Sequence, residues 1–383
     1  MFYLRCLIFA LMPLTLQAKE TPIEIPVPPT LAAKSWLLME FSSGQILAAG
    51  NPDLRLEPAS LTKLMTAYVV FSALHQKTLS LDQKVPVSTN AAKAGGSRMF
   101  LKPRESVLVD DLLKGMIVQS GNDASIALAE AISGTEPVFV TRMNQEATRL
   151  GMTNTRFQNA TGLPAGDHFS TAHDLGLLAA ALIRDFPVEY ARYYHMLSFT
   201  YNKIRQPNRN RLLMMDASAD GLKTGHTEAA GYCLISSSRR GLRRLVAVVM
   251  GTASDTARAD ESFKLLNWGF DAYQAIHLYV PEQRVTQQRV WKGQTSTVKA
   301  GFLQDVVIAL PKAGPEHEPS NRIKMDLTPL EVTAPIRYGQ AIGTLKITGD
   351  GQFAAQFPVV ALEEVAPGNW LRRLWDSFLL WFY

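Results

Sequence analysis

Cysteine is almost missing from this chain, with two among 383 residues. Cys6 lies in an apolar N-terminal stretch that reads as a removable leader, so Cys233 stands alone and no intramolecular disulfide is available. Its setting, Gly231-Tyr232-Cys233-Leu234-Ile235, reads as a buried strand, where a thiol is inert packing. Histidine is sparse as well, at seven, and none stands at metal-ligand spacing. No His-Glu-x-x-His, phosphate-binding loop or dinucleotide glycine pattern occurs, so no metal and no cofactor is expected. Strong charge is missing too: the net +5 is spread along the sequence, with nothing like a nucleic-acid stripe, so no nucleic-acid partner is expected. With 47% hydrophobic and 19% charged residues the composition is that of a globular protein, and the length predicts two domains.

Both ends are apolar, yet neither is long enough to span a bilayer. Arg5 precedes the apolar residues 6–16, and Gln17-Ala18-Lys19 follows; residues 1–18 read as a secretory signal cut after Ala18, which implies export. At the other end, residues 368–383 read as an amphipathic helix. A 100° wheel gathers Trp370, Leu371, Leu374, Trp375 and Phe378 on one half, and Arg372, Arg373, Asp376 and Ser377 on the other. Its length of roughly 20 Å falls short of the hydrocarbon core. The tryptophans beside paired arginines suit a helix lying in the headgroup layer, so a membrane surface is an expected partner.

Between these ends the hydropathy period changes twice. Residues 35–41 and 45–49 read as strands about a Ser42-Ser43-Gly44 turn. Residues 61–74, 110–118, 124–132, 138–150 and 172–185 read as helices, the last opened by Thr171 and Asp174 in a capping-box pattern. Strands return at 222–224, 232–236 and 245–250, and a helix follows at 262–275. This order predicts an α+β domain over residues 30–276: an antiparallel sheet assembled from both ends of the segment, with helical layers inserted. Short strands at 306–310, 323–327, 341–347 and 353–360 predict a small all-β domain over residues 280–364.

Three short patterns carry chemistry, and two of them have decoys in the same chain. Ser-x-x-Lys occurs at Ser60–Lys63 and at Ser296–Lys299; Ser-x-Asn occurs at Ser120–Asn122 and at Ser88–Asn90; Lys-Thr-Gly occurs once, at Lys223-Thr224-Gly225. Context separates them. Ser60 and Lys63 stand at a helix start, where a spacing of three puts both side chains on one face. Ser296 and Lys299 lie in a strand-like stretch, where the same spacing puts them on opposite faces. Ser120 and Asn122 occupy a polar corner between two apolar helices. Gly225, in a strand, is expected to leave room for a substrate backbone. A serine hydroxyl needs a base, and Lys63 serves if burial beside a second cation, Lys223, keeps it neutral.

Together and in this order, the three patterns resemble the penicillin-binding proteins and serine β-lactamases, for which this motif set is a known signature. Longer stretches narrow the likeness: Pro58-Ala59-Ser60-Leu61-Thr62-Lys63, Gln119-Ser120-Gly121-Asn122-Asp123-Ala124, Ile204-Arg205-Gln206, Gly221-Leu222-Lys223-Thr224-Gly225-His226-Thr227 and Leu265-Leu266-Asn267-Trp268-Gly269-Phe270. They resemble the low-molecular-mass D-alanyl-D-alanine carboxypeptidases. The resemblance implies a β-lactamase-like fold, peptidoglycan stem peptides and β-lactams as ligands, and a place on the periplasmic face of the inner membrane. It also implies roles: Ser60 as nucleophile, Lys63 as base, Ser120 as proton relay, and Asn122 as holder of the substrate amide. Lys223 and Thr224 would hold the terminal carboxylate, and the N–H groups of Ser60 and His226 would form an oxyanion hole. Arg205 matches a family position near the active site, where it would either steady the Ser120 loop or stand as a solvated arginine. Some relatives place an arginine just after the third strand, but Met250-Gly251 is followed here by Thr252 and Ala253, so that carboxylate clamp is expected to be absent. A class A β-lactamase is disfavoured because residues 153–167 offer no glutamate, only Asp167. A D,D-endopeptidase shares the same motifs and stays open as an alternative. A noncatalytic peptidoglycan-binding scaffold is disfavoured because Ser60, Lys63 and Lys223 are all present.

Overall fold

The computed structural model describes residues 25–313, 322–349 and 353–381. The leader at residues 1–18 lies outside them.

A five-stranded sheet organises the first part of the chain. Its strands run in the order Ile46–Gly50, Ser35–Glu40, Arg243–Thr252, Gly231–Arg240 and Ala219–Thr227, each antiparallel to its neighbour. The two ends of the segment thus pair through Ser35–Glu40 and Arg243–Thr252, as the order of predicted elements requires. Period-2 alternation divides the apolar residues between two cores. Leu37, Met39, Val246, Val248 and Met250 face one, while Leu38, Leu245, Ala247 and Val249 face the other. Both faces are covered, which explains why these strands read as nearly continuous apolar runs.

One face carries the inserted helices. Val109–Val118, Asn122–Ser133, Glu136–Arg149 and Ala172–Asp185 form, with Lys63–His75, the helical layer. The Thr171 hydroxyl caps the last of these by accepting from Asp174 N at 3.1 Å. The other face carries Asp255–Ala272, which begins seven residues earlier than hydropathy suggests because its first turns are polar and capped by Ser254. It packs closely: a Cβ on Gly269 would stand 2.4 Å from Leu38 Cδ2. Sequence periodicity missed the helix Pro187–Tyr193 and the hairpin Ser198–Tyr201 with Ile204–Pro207, both too short to establish a period.

A second, β-rich part follows. Tyr273–Tyr279 pairs with Val306–Pro311, and a six-stranded sheet forms in the order Ile323–Pro329, Ala341–Gly349, Phe353–Ala361, Thr297–Gly301, Arg284–Trp291 and Val332–Thr333. It has its own core, including Val298, Ile308, Leu345 and Ile347. The turn after the first strand joins the two parts. Ser42 Oγ donates to Asp305 O at 2.7 Å and accepts from Val307 N at 3.1 Å, and Gln45 Oε1 accepts from Ala309 N at 3.2 Å.

The terminal helix, Trp370–Leu379, is capped by the Asn369 side chain, which accepts from Arg372 N. Its polar face points inward. Asp376, buried, accepts from Lys292 N at 2.5 Å, and Arg372 Nη1 donates to Gln294 O at 3.1 Å. The apolar face points out: Trp370, Leu371, Leu374 and Trp375 are between 59% and 68% exposed. Among the described residues no helix is long and apolar enough to cross a membrane.

Candidate active site

Ser60 lies in a 3₁₀ turn, Ala59–Thr62, and the α-helix proper begins at Lys63. The expected helix start is therefore tighter than an α-turn. In a 3₁₀ turn residues three apart eclipse, which brings Lys63 Nζ to 2.9 Å from Ser60 Oγ. Two further acceptors hold the lysine: Asn122 Oδ1 at 2.7 Å and the Thr161 carbonyl at 2.6 Å. The Asn122 amide is oriented by its own donation from Nδ2 to Gly95 O at 2.7 Å, so the oxygen faces the lysine. These partners decide how a neutral Lys63 is arranged. Asn122 Oδ1 and Thr161 O can only accept, so they take the two amine hydrogens, and the lone pair is left to Ser60 Oγ.

The electrostatics favour that neutral form. Lys63 is 1% exposed. Burial first, and the Arg209 cation second, lower its pKa to about 7, against a smaller opposing effect of Asp123. Arg209 thus joins the expected Lys223 as a cation that presses on Lys63. Lys223 is itself held well below the usual lysine range by burial, then by Lys63, Arg209 and Arg258. His168 stands behind this group, with Nε2 2.9 Å from Thr62 Oγ1. Burial and Lys63 lower its pKa to about 4, so it adds no charge at neutral pH.

A cleft of about 530 Å³ opens at Ser60, between the helical layer and the edge strand Ala219–Thr227. Ser60, Ser120, Asn122, Thr224, Gly225 and His226 line it. Ser120 takes a positive φ of 67° between its two helices, and its buried Oγ has no hydrogen-bond partner among the described residues. A buried hydroxyl left without a partner suits a group that waits for a ligand. Lys223, buried beneath the strand, donates to Thr224 O at 2.9 Å. The His226 ring lies on Tyr232, with centroids 4.0 Å apart.

Three expected positions stand in surroundings that the motifs did not specify. Arg205 is not in the cleft: it is exposed on the Ile204–Pro207 strand, and its Nε donates across the hairpin to Ser198 Oγ at 3.3 Å. Its neighbour Gln206 faces inward instead, donating to Arg98 O at 3.1 Å in the loop beside Ser97. Gly225 borders the cleft, and its size also serves packing. A Cβ there would lie 3.0 Å from Pro58 O and 3.3 Å from Ala59 Cβ, so the glycine lets the edge strand pack on the Ser60 turn. Finally, the missing arginine after Met250-Gly251 does not leave the cleft without guanidinium groups. Arg209 and Arg258 both line it, from the loop after the hairpin and from the first turn of Asp255–Ala272. Sequence reading missed both because neither belongs to a motif. Their one signal, arginine in a polar segment, is shared by most surface positions.

The decoy motifs have structural jobs. Ser88 caps Thr89–Ala92 by accepting from Ala91 N at 2.9 Å, and Lys299 Nζ pairs with Glu363 at 3.0 Å in the β-rich part. Asp167, the only acid in the loop that supplies a β-lactamase base, pairs with Arg156 at 3.2 Å in solvent.

The D-alanyl-D-alanine carboxypeptidase family matches residues 23–254, more than half of the chain. The chain belongs to that family. In addition, the C-terminal domain of penicillin-binding protein 5 matches residues 273–367. Among curated members of the family, the chain is 42% identical over 373 residues to D-alanyl-D-alanine carboxypeptidase DacC of Escherichia coli, covering 96% of this chain and 92% of that protein. It is 40% identical to DacA of Haemophilus influenzae, covering 92% and 90%. Penicillin-binding protein 5 of Haemophilus influenzae superposes with a TM-score of 0.74 at 39% identity, covering 89% of this chain and 99% of that one. The α+β fold with a following β domain, read from the element order, is the architecture of this carboxypeptidase family.

Proposed function

We propose that the chain is a serine-type D-alanyl-D-alanine carboxypeptidase that removes the terminal D-alanine from peptidoglycan stem pentapeptides through a Ser60 acyl-enzyme. One observation carries the assignment of the nucleophile: buried Lys63 Nζ lies 2.9 Å from Ser60 Oγ, with Asn122 Oδ1 and Thr161 O as its other partners, so that a neutral amine leaves its lone pair to the serine. Lys63 takes the hydroxyl proton as Oγ attacks the carbonyl carbon between the two D-alanines. The N–H groups of Ser60 and His226 bind the developing oxyanion, a contribution worth about 100-fold or more per donor. Ser120, with its open hydroxyl, passes the proton to the leaving amine as the C–N bond breaks. Asn122 positions the substrate amide. Lys223, Thr224 and the added cation Arg209 hold the terminal carboxylate. Water then cleaves the ester and restores the serine. β-Lactams enter by the same attack and leave slowly.

Two measurements test this reading together. The wild-type protein should form a covalent adduct with a fluorescent penicillin and release D-alanine from a pentapeptide. Faster cleavage of a crosslinked peptidoglycan dimer than release of D-alanine would assign it instead as a D,D-endopeptidase. Absence of any adduct would refute acyl-enzyme chemistry.

We place the enzyme in the periplasm, on the outer face of the inner membrane. The leader-like residues 1–18 support export. The outward apolar face of Trp370–Leu379 supports a surface anchor, because the helix gives its polar side to the protein and leaves its tryptophans uncovered. Deleting residues 368–383 should move the protein from the membrane fraction to the soluble one on cell fractionation. An unchanged distribution would refute the anchor.

A further inference from the structure

Among the described residues lining the cleft, Arg258 is the cation that already holds a carboxylate. Its Nη2 bonds Asp255 Oδ1, while its Nη1 donates to Gly225 O at 3.2 Å. Both Asp255 and Arg258 border the cleft. The arginine is fixed: its side chain is 7% exposed, it is tied to the edge strand, and its guanidinium lies 5.5 Å from the Tyr232 ring centroid. The Asp255 side chain is 44% exposed. Its second oxygen lies 3.6 Å from Arg211 Nη1, which itself donates to Thr256 Oγ1 at 2.9 Å. The helix does not need this carboxylate as a cap, since Ser254 Oγ accepts from Ala257 N at 3.0 Å. A carboxylate so placed puts negative charge on the wall of the cleft that a ligand's terminal carboxylate must enter.

We propose that Asp255 is a specificity residue, an internal carboxylate that neutralises Arg258 and competes with the ligand's carboxylate for the positive field of the cleft. The inference rests on the acyl-enzyme reading above. With Arg258 occupied, Lys223 and Arg209 remain to attract the ligand, so binding of any small carboxylate, including the released D-alanine, is held in check. A partly exposed charge acting over a few ångströms changes such binding by roughly threefold to tenfold. The effect belongs to charge, and it should fade as salt screens the cleft.

Asp255→Asn and Asp255→Ser separate this effect from a structural one. Three ligands are compared: an N-acyl-D-alanyl-D-alanine peptide, benzylpenicillin, and an N-acyl-D-alanyl thioester whose leaving group is uncharged. Both variants should lower KM for the peptide by roughly threefold to tenfold and speed penicillin acylation to match, with the change carried by KM rather than kcat. KM for the thioester should stay within about twofold of wild type, because it brings no carboxylate. Equal shifts on peptide and thioester, or an unchanged or higher KM for the peptide, would overturn the proposal. A wild-type protein that forms no penicillin adduct overturns the acyl-enzyme reading and this inference together. An active wild type whose KM is indifferent to Asp255 overturns this inference alone.

Discussion

Lys63→Met is expected to slow penicillin acylation by about 10²- to 10⁴-fold, the usual loss when a positioned general base is removed, and Ser60→Ala to abolish the covalent adduct. Lys63→Arg should be as inactive as Lys63→Met, because a guanidinium keeps its proton and has no lone pair to offer. The wild-type pH profile supplies the sign. Lys63 has a pKa lowered to about 7, so the competent neutral amine is the minor form below that pH and the major form above it. The acylation rate should therefore rise as pH climbs through about 7 and then level off. Stopped-flow acylation across pH 5 to 9, a range of about four units around that midpoint, reads the limb directly. A rate that falls across pH 7, or a Lys63→Met protein acylated as fast as wild type, would remove Lys63 as the base.

Gly162→Ala is expected to destabilise the catalytic part by about 2–5 kcal/mol, combining the cost of a left-handed backbone with overpacking. Gly162 has φ +81°, and a Cβ there would stand 1.8 Å from Ala59 O and 2.3 Å from Ala59 C. Those are backbone atoms of the turn that carries Ser60, so no rotamer change can relieve the contact. The displacement would also pull the neighbouring Thr161 carbonyl from Lys63, where it now accepts at 2.6 Å. A fall in Tm of at least about 5 °C and a slowed acylation should appear together. Gly166→Ala is the control, in the same loop but with no atom within 4 Å of the added carbon. If the two variants melt alike, the close approach of Gly162 to the Ser60 turn is not what holds this loop.

The two experiments probe different layers of legibility. Ser60 and Lys63 were readable because their relation is local: three residues apart on a turn, their meeting follows from backbone geometry alone. The same holds for Thr171, whose cap is a contact with Asp174, three residues on. The order of strands and helices was readable too, since a sheet closed by Ser35–Glu40 and Arg243–Thr252 needs only the pattern of elements and the rule that apolar faces must be covered. Arg205 stayed open between cleft and solvent because on a two-stranded hairpin that choice turns on one residue of register. Gln206, next along, faces inward, whereas Arg205 does not.

The rest depends on distances through space. Thr161 and Asn122 stand 98 and 59 residues from Lys63, and only the packing of the loop and the helical layer sets them as its acceptors. Gly225 and Gly162 are explained by the Ser60 turn they touch, which no local pattern announces. Arg209 and Arg258 reach the cleft from a loop and a helix start that carry no motif. The sequence by itself determined the meeting of Ser60 and Lys63, the family that its motifs resemble and the two-part architecture, because these rest on short motifs, short-range periodicity and spacing. Tertiary structure alone decided which charges surround Lys63, which arginines line the cleft, and which face of the terminal helix is left bare. Burial and Coulomb interaction act across the fold between groups far apart along the chain.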